Sequence, residues 1–324
     1  MAHQISLNKK TGLYEFCFSH EDGPAWHSLG QSLTADASID DWKREAGMEW
    51  NIMESAVMYQ TMTGQQVYSD KKVLFRSDTH EPLSVVGSDY HVVQPTEVLE
   101  FFRDLTEIHG FRLSAAGTLF GGKRFWATAN IGKSFQVSHG DEIGGQLLLV
   151  SSADSSIATS YKICSTRTVC SNTLAVAMAE NAKLSGRKTH RTEFDAKAVK
   201  LDLGLIDAGW ESFKTNITKL VDVKVSDTDA EVYFKNKLYN PNVMAEDQTW
   251  KVQKDVQELM YLFRSGTGSD MSYGTAWGVV NSVTEKFTHN NGKRDQSAKF
   301  WDSEFGTGAK FKQEVFSDML ALAA

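Results

Sequence analysis

The spacing of apolar and polar positions changes character near residue 193. Before it, short runs of period two dominate, the mark of half-buried strands. They predict strands over Trp50–Met62, Lys72–Arg76, Pro82–Gly87, Tyr90–Val93, Arg112–Phe120, Lys123–Ile131, Gln146–Ser152 and Ile157–Cys164. Two helices interrupt them. Asp40–Ala46 follows Ser38, with Asp41 three residues on as the partner of a capping box. Pro95 opens the second, in which Val98, Leu99, Phe102, Leu105 and His109 share one face and Gly110 marks the stop. Gly121-Gly122, between two strand runs, is a hairpin signal. A further helix is expected to begin at Asn172 or Thr173.

From Phe194 onward the period is helical. Leu205, Ile206, Trp210, Phe213, Ile217 and Leu220 form one stripe. Val252, Val256, Leu259, Met260 and Phe263 form a second, and Ala276, Val279, Val280, Val283 and Phe287 a third. Lys310–Ala323 is a last helical run. The glycine-rich stretches Gly266–Gly274 and Gly306–Lys310 lack the GxxxxGK[ST] pattern and follow no expected strand, so they read as connections between helices. The expected class is α+β: an antiparallel sheet with helices, followed by a mostly helical C-terminal part. The expected division is 1–193 and 194–324, with the basic stretch Lys183–Phe194 as connector. No repeat or low-complexity tract is visible.

Composition changes this picture little. Hydrophobic residues make up 41% and charged residues 23% of 324, ordinary for a soluble globular protein. No apolar run approaches the ~20 residues of a membrane span. The opening MAHQISLNKK has no apolar stretch behind its charges, so no signal peptide is expected. Three cysteines do not make a disulfide framework. Together these place the protein in a reducing cytoplasm.

Charge is more informative in its distribution than in its sum. The net value is −7, yet between Thr159 and Thr192 six cations (Lys162, Arg167, Lys183, Arg187, Lys188, Arg191) face one carboxylate, Glu180. That segment carries +5 and the remainder −12. A local basic field on an acidic body can steer a polyanion.

The same segment holds YKICSTRTVCSNTLAVAM, Tyr161–Met178. Cys164 and Cys170 are six apart, which fits neither CxxC nor a common zinc spacing. A catalytic cysteine needs a base beside it, which spacing cannot supply, and buried packing is the commoner fate of the residue. On the expected strand, Tyr161 and Ile163 share one face and Lys162 and Cys164 the other. Arg167 lies at its exit, and Ser171 to Thr173 are suited to cap a following helix. Free amides at a helix start beside an arginine suit a phosphate. Lys123, Arg124, Phe125 and Trp126 add cations and aromatic faces of the kind that bind single strands.

Several stretches resemble the phage/plasmid-like protein family, a domain of unknown function found on prophages, phages and plasmids. They are DGPAWHSLG, VLFRSDTHEPLSVVGSDYHVVQPTEVLEFF, SAAGTLFGGKRFWATANI, TRTVCSNTLAVAM and GTAWGVVNSVTEKFTHNNG. The family's pattern appears as Arg167, Val169, Cys170, Asn172 and Thr173, and the resemblance runs over nearly the whole chain in order. It implies a mobile-element protein in the host cytoplasm and nothing catalytic. More loosely, the element order of Lys72–Lys183 is similar to the core of phage single-strand annealing proteins of the RecT and lambda Beta type. Those form rings or filaments on single-stranded DNA without a cofactor-driven active site. The long helical C-terminal part and the acidic total depart from them.

The expected function is therefore single-stranded DNA binding and strand annealing, without enzyme activity, nucleotide or metal, by a homo-oligomer. Its expected contact residues are Lys123, Arg124, Trp126, Tyr161, Lys162, Arg167, Asn172, Lys183, Arg187, Lys188 and Arg191. Two alternatives stand beside it: an enzyme using Cys170 or His27, and an acidic anti-restriction or host-interaction protein.

Overall fold

A computed structural model describes residues 6–8, 11–22, 30–138, 140–167, 173–175, 185–188, 206–239, 241–244, 246, 248–290 and 296–323; at 104–109, 167, 173–175, 185–188, 206–208 and 296–297 it describes the backbone alone. The main sheet is built from β1 (Phe16–Ser19), β2 (Gln31–Leu33), β6 (Arg112–Leu119), β7 (Arg124–Ser138), β8 (Asp141–Ser152), β9 (Thr159–Arg167), β10 (Thr173–Ala175) and β11 (Ser185–Lys188). Its order is β10-β9-β8-β7-β6-β1-β2, and β11 pairs with β9 beside β10. All pairs are antiparallel except β1 with β2. A second sheet runs β3 (Ile52–Thr61), β4 (Gly64–Arg76), β5 (Pro82–Gly87).

The helices are α1 (Ile39–Glu45), α2 (Pro95–His109), α3 (Ile206–Asp222), α4 (Asp227–Leu238), α5 (Trp250–Ser265), α6 (Ala276–His289), α7 (Gln296–Glu304) and α8 (Thr307–Ala321). None of the described helices is long and apolar enough to cross a membrane. The α+β class holds, with the helical part following the sheets. The capping box also holds: the Ser38 hydroxyl accepts from the Asp41 N–H, and the Asp41 carboxylate accepts from the Ser38 N–H.

Both faces of the main sheet are covered. On one, Cys17, Ala116, Phe125, Ala127, Leu147, Leu149, Tyr161 and Ile163 meet Val98, Leu99 and Phe102 of α2 and Trp210, Phe213 and Ile217 of α3. On the other, Phe16, Phe18, Ala115, Leu119, Trp126, Leu148, Val150 and Cys164 meet Phe300 of α7. Each large side chain so buried contributes about 1.5–3 kcal/mol. The first core runs unbroken from Cys17 to Met319. Among the described residues the strands end at Lys188 and α3 begins at Ile206, while the first core draws on residues from both sides.

Several elements differ from the sequence reading. Tyr90–Val93 is not a strand; the chain turns there into α2, and the Tyr90 hydroxyl donates to the Ser152 carbonyl at 2.7 Å. β4 begins at Gly64, eight residues before the expected Lys72. The sequence pattern does not announce β1, β2, α4 or α7. The helix anticipated at Asn172–Thr173 is replaced at Thr173–Ala175 by β10, which satisfies the edge of β9 at Cys164–Thr166. A capped helix start beside Arg167 is therefore not what the chain forms at Thr173.

Candidate nucleic-acid interface

β9 alternates as its sequence requires. Tyr161 and Ile163 enter the first core, Cys164 enters the second, and Lys162 stands on the face of Cys164. That second face is the one α7 covers, and it gathers three of the expected contact residues. Trp126 is fully buried, its ring 4.8 Å from Phe300 and 6.1 Å from Phe16. The Arg124 guanidinium lies over Trp301 at 4.0 Å and Phe120 at 4.6 Å. It donates to the Ser156 hydroxyl at 2.8 Å and stands 3.5 Å from Asp154.

Lys162 closes the same layer. Its ammonium donates to the Glu304 carbonyl at 2.5 Å and carboxylate at 2.9 Å, and lies 4.7 Å from the centre of the Phe305 ring. Lys312 of α8 approaches the other oxygen of Glu304 at 3.6 Å and donates to the Ser303 hydroxyl at 3.0 Å. Lys312 and Glu304 are both buried. Burial holds the Lys312 ammonium below its ordinary pKa, with Glu304 pulling the other way. Burial also pushes the Cys164 thiol up to about 12, against the neighbouring charge of Lys162. A thiol so placed is not a nucleophile.

Four of the expected contact residues are engaged within the fold itself. Trp126 and Tyr161 are packed in the core and offer no face on which a base could stack. Arg124 and Lys162 are held by the chain's own rings and carboxylates, which fasten α7 to the sheet. Lys123 is exposed in the turn immediately before β7. Arg167 stands opposite Ile143 in the backbone register, Arg187 opposite Ser160 and Lys188 opposite Thr159. Asn172, Lys183, Arg191, Cys170 and His27 lie outside the described residues.

Register places several of the cations together. Arg124 pairs with Ser152, the last residue of β8; β9 starts at Thr159, and Lys188 pairs with Thr159. Lys123, Arg124 and Lys188 therefore belong to one end of the sheet, and Arg187 lies one residue in from it on β11.

A second cluster has no signal in the sequence beyond a strand ending in arginine. Arg76 reaches Glu15 with two nitrogens, at 2.8 and 3.2 Å, and Asp78 with two more bonds, at 2.9 and 2.8 Å. Its guanidinium lies 4.2 Å from the centre of the Trp50 ring. The Thr118 hydroxyl donates to Glu15 as well. Burial opposes the charge on Arg76, but Asp78 and Glu15 outweigh it and raise its pKa. The cluster floors a cleft of about 350 Å³ bordered by Asn8, Gln31, Arg44 and Glu45. The sequence shows only RSD at a strand end; the partner 61 residues upstream is a product of folding.

The molecule is thus an α+β protein whose main sheet is sealed on both faces and whose C-terminal helices are pinned to it by buried charge. The chain belongs to the family described as Domain of unknown function (DUF932), whose model matches residues 82–304, more than half of its length. No curated protein and no solved structure matches the chain.

Proposed function

We propose that this chain is a single-stranded-DNA-binding, strand-annealing protein of a phage or other mobile element, acting through charge and surface without a nucleotide or metal. One observation carries the reading: pairing of β9 with β11 sets Arg187 and Lys188, from the +5 segment, along one margin of a sheet in an otherwise acidic chain. A margin of cations on an acidic body offers a backbone-tracking path while the remainder repels the polyanion. The resemblance to proteins of phages and plasmids agrees with it. Arg124, Trp126, Tyr161 and Lys162 play no contact role in this reading; they hold the surface in place.

Fluorescence anisotropy of a labelled oligonucleotide tests it. The log of affinity should fall linearly with the log of salt, and each lost phosphate contact should reduce the slope by about 0.7. Lys123→Ala, Arg187→Ala and Lys188→Ala should each lower the slope without lowering the melting temperature. Folded protein that binds no oligonucleotide at low salt, or that binds but does not accelerate pairing of complementary strands, rejects the reading.

A further inference from the structure

The β3–β4 hairpin is unlike the rest of the surface. Residues 55–69 contain no Asp, Glu, Lys, Arg or His, in a chain that is 23% charged. Its side chains are nevertheless in water: Met58 is 58% exposed, Tyr59 50%, and Met62 at the turn fully exposed. Val67 and Tyr68 on β4 are exposed too. Register sets Met58 opposite Val67 and Val57 opposite Tyr68, so apolar groups stand on both faces of the ribbon.

β3 is also an edge. The second sheet ends with it, and among the described residues β4 is its one strand partner. At its base the edge is closed: the Gln94 side-chain amide accepts from the Ile52 N–H at 2.7 Å and donates to the Ile52 carbonyl at 3.2 Å. Beyond Ile52 no described element outside the hairpin takes up the outer backbone groups of β3. Edge strands are normally blunted by lysine, proline or inward charge; here the only charge on β3 is Glu54, which Lys72 engages at 2.8 Å.

We infer that the outer edge of β3 is a docking surface for a second copy of this chain, pairing antiparallel with the same strand about a two-fold axis. The charge pattern selects the occupant. A nucleic acid needs cations, and residues 55–69 have none. Two copies of a chain of net charge −7 repel each other over most approaches, and an uncharged ribbon is where they can meet at least cost. An antiparallel edge is self-complementary under a two-fold, because each strand presents the same row of donors and acceptors. The product is one six-stranded sheet formed from two of three strands, closed at the dimer. A ring or filament would need a different, head-to-tail contact.

The test is light scattering on the full chain across a concentration series, with Met58→Glu/Tyr59→Glu beside it. Both side chains are exposed, so circular dichroism and the melting temperature should not change. The native chain should pass from monomer to dimer as concentration rises, and the double variant should raise the dissociation constant roughly tenfold or more. Val232→Glu, an equally exposed apolar position on α4, should leave it unchanged. A chain that stays monomeric at the highest concentration overturns the inference. So does an assembly that persists in the double variant, or a variant that loses oligonucleotide binding while its mass is unaltered.

Discussion

Arg76 and Glu15 form a forked ion pair across 61 residues, with each side chain about 4% exposed. It ties the approach to β1 in the main sheet to the end of β4 in the second. Breaking a buried pair from one side strands the other charge, so Arg76→Ala should cost about 3–5 kcal/mol. Arg76→Lys should recover only part, since an ammonium cannot fork. Urea midpoints of the two variants check this; equal midpoints for Ala and the native chain would refute it.

Glu304 should behave unlike its partner Lys312. Removing the carboxylate leaves the Lys162 and Lys312 ammoniums without the charge between them, and Glu304→Gln should cost about 3–5 kcal/mol. Lys312→Met leaves Glu304 with Lys162, so its cost should be smaller than that of Glu304→Gln. Chemical denaturation of both variants reads the difference. A larger loss in Lys312→Met than in Glu304→Gln would contradict it.

Gly122 and its neighbour Gly121 separate conformation from space. Both have positive φ, +91° and +71°. A Cβ on Gly122 would stand 2.7 Å from Trp50 and 2.9 Å from Arg76, whereas Gly121 has nothing within 4 Å. Gly121→Ala should cost only the left-handed strain, about 1–2 kcal/mol. Gly122→Ala should cost more and should weaken the Arg76–Glu15 pair. Arg76 also donates to the Gly121 carbonyl at 3.3 Å, so in double-mutant cycles with Arg76→Ala both glycine variants should be non-additive, Gly122→Ala the more strongly because its Cβ meets the guanidinium.

Asp41 supplies a pH signature. The Ser38 hydroxyl, then Arg44 and the Ser38 N–H, hold its carboxyl at about 2, below the ordinary 3.8. A depressed folded pKa means the contribution is complete above 3.8 and disappears as pH falls through 2. The stability difference between the native chain and Asp41→Ala should therefore be constant near neutrality and close between about pH 4 and 2. An NMR titration of the Asp41 carboxyl should show a midpoint near 2; a midpoint at 3.8 would contradict the capping geometry.

Much of this fold is legible where a single local rule suffices. Ser38 with Asp41 marks α1, Pro95 and Gly110 bound α2, and the alternation of β9 sorts Tyr161 from Lys162. What escapes depends on distant partners. β1 is four buried residues, Phe16–Ser19, too short to show a period. The outer half of β4 is exposed on both faces, with Val67 and Tyr68 adjacent among polar residues, so it lacks the in–out alternation of a half-buried strand. α4 buries only Ala230 and Phe234 and shows no stripe. Thr173–Ala175 has equal claim to a helix start and to a strand, and the unsatisfied edge of β9 decides it. Trp126 escapes for a related reason: alternation reveals a strand, but not that a later helix covers its second face. Arg124 and Lys162 go with it, because Trp301, Glu304 and Phe305 lie well over a hundred residues on.

The family match ends at Glu304, yet Lys312, which faces that carboxylate from α8, lies past it, and β1 through β4 lie before its start. A boundary drawn there would cut through the architecture. A polypeptide trimmed to residues 82–304 would expose the β6 edge that β1 covers and the apolar side of α6 and α7 that α8 shields. It would also leave β5 without β4, the strand it pairs with. Such a fragment should be recovered as aggregate, while the full chain stays in solution: the stretch that is recognisable by comparison is smaller than the unit that folds.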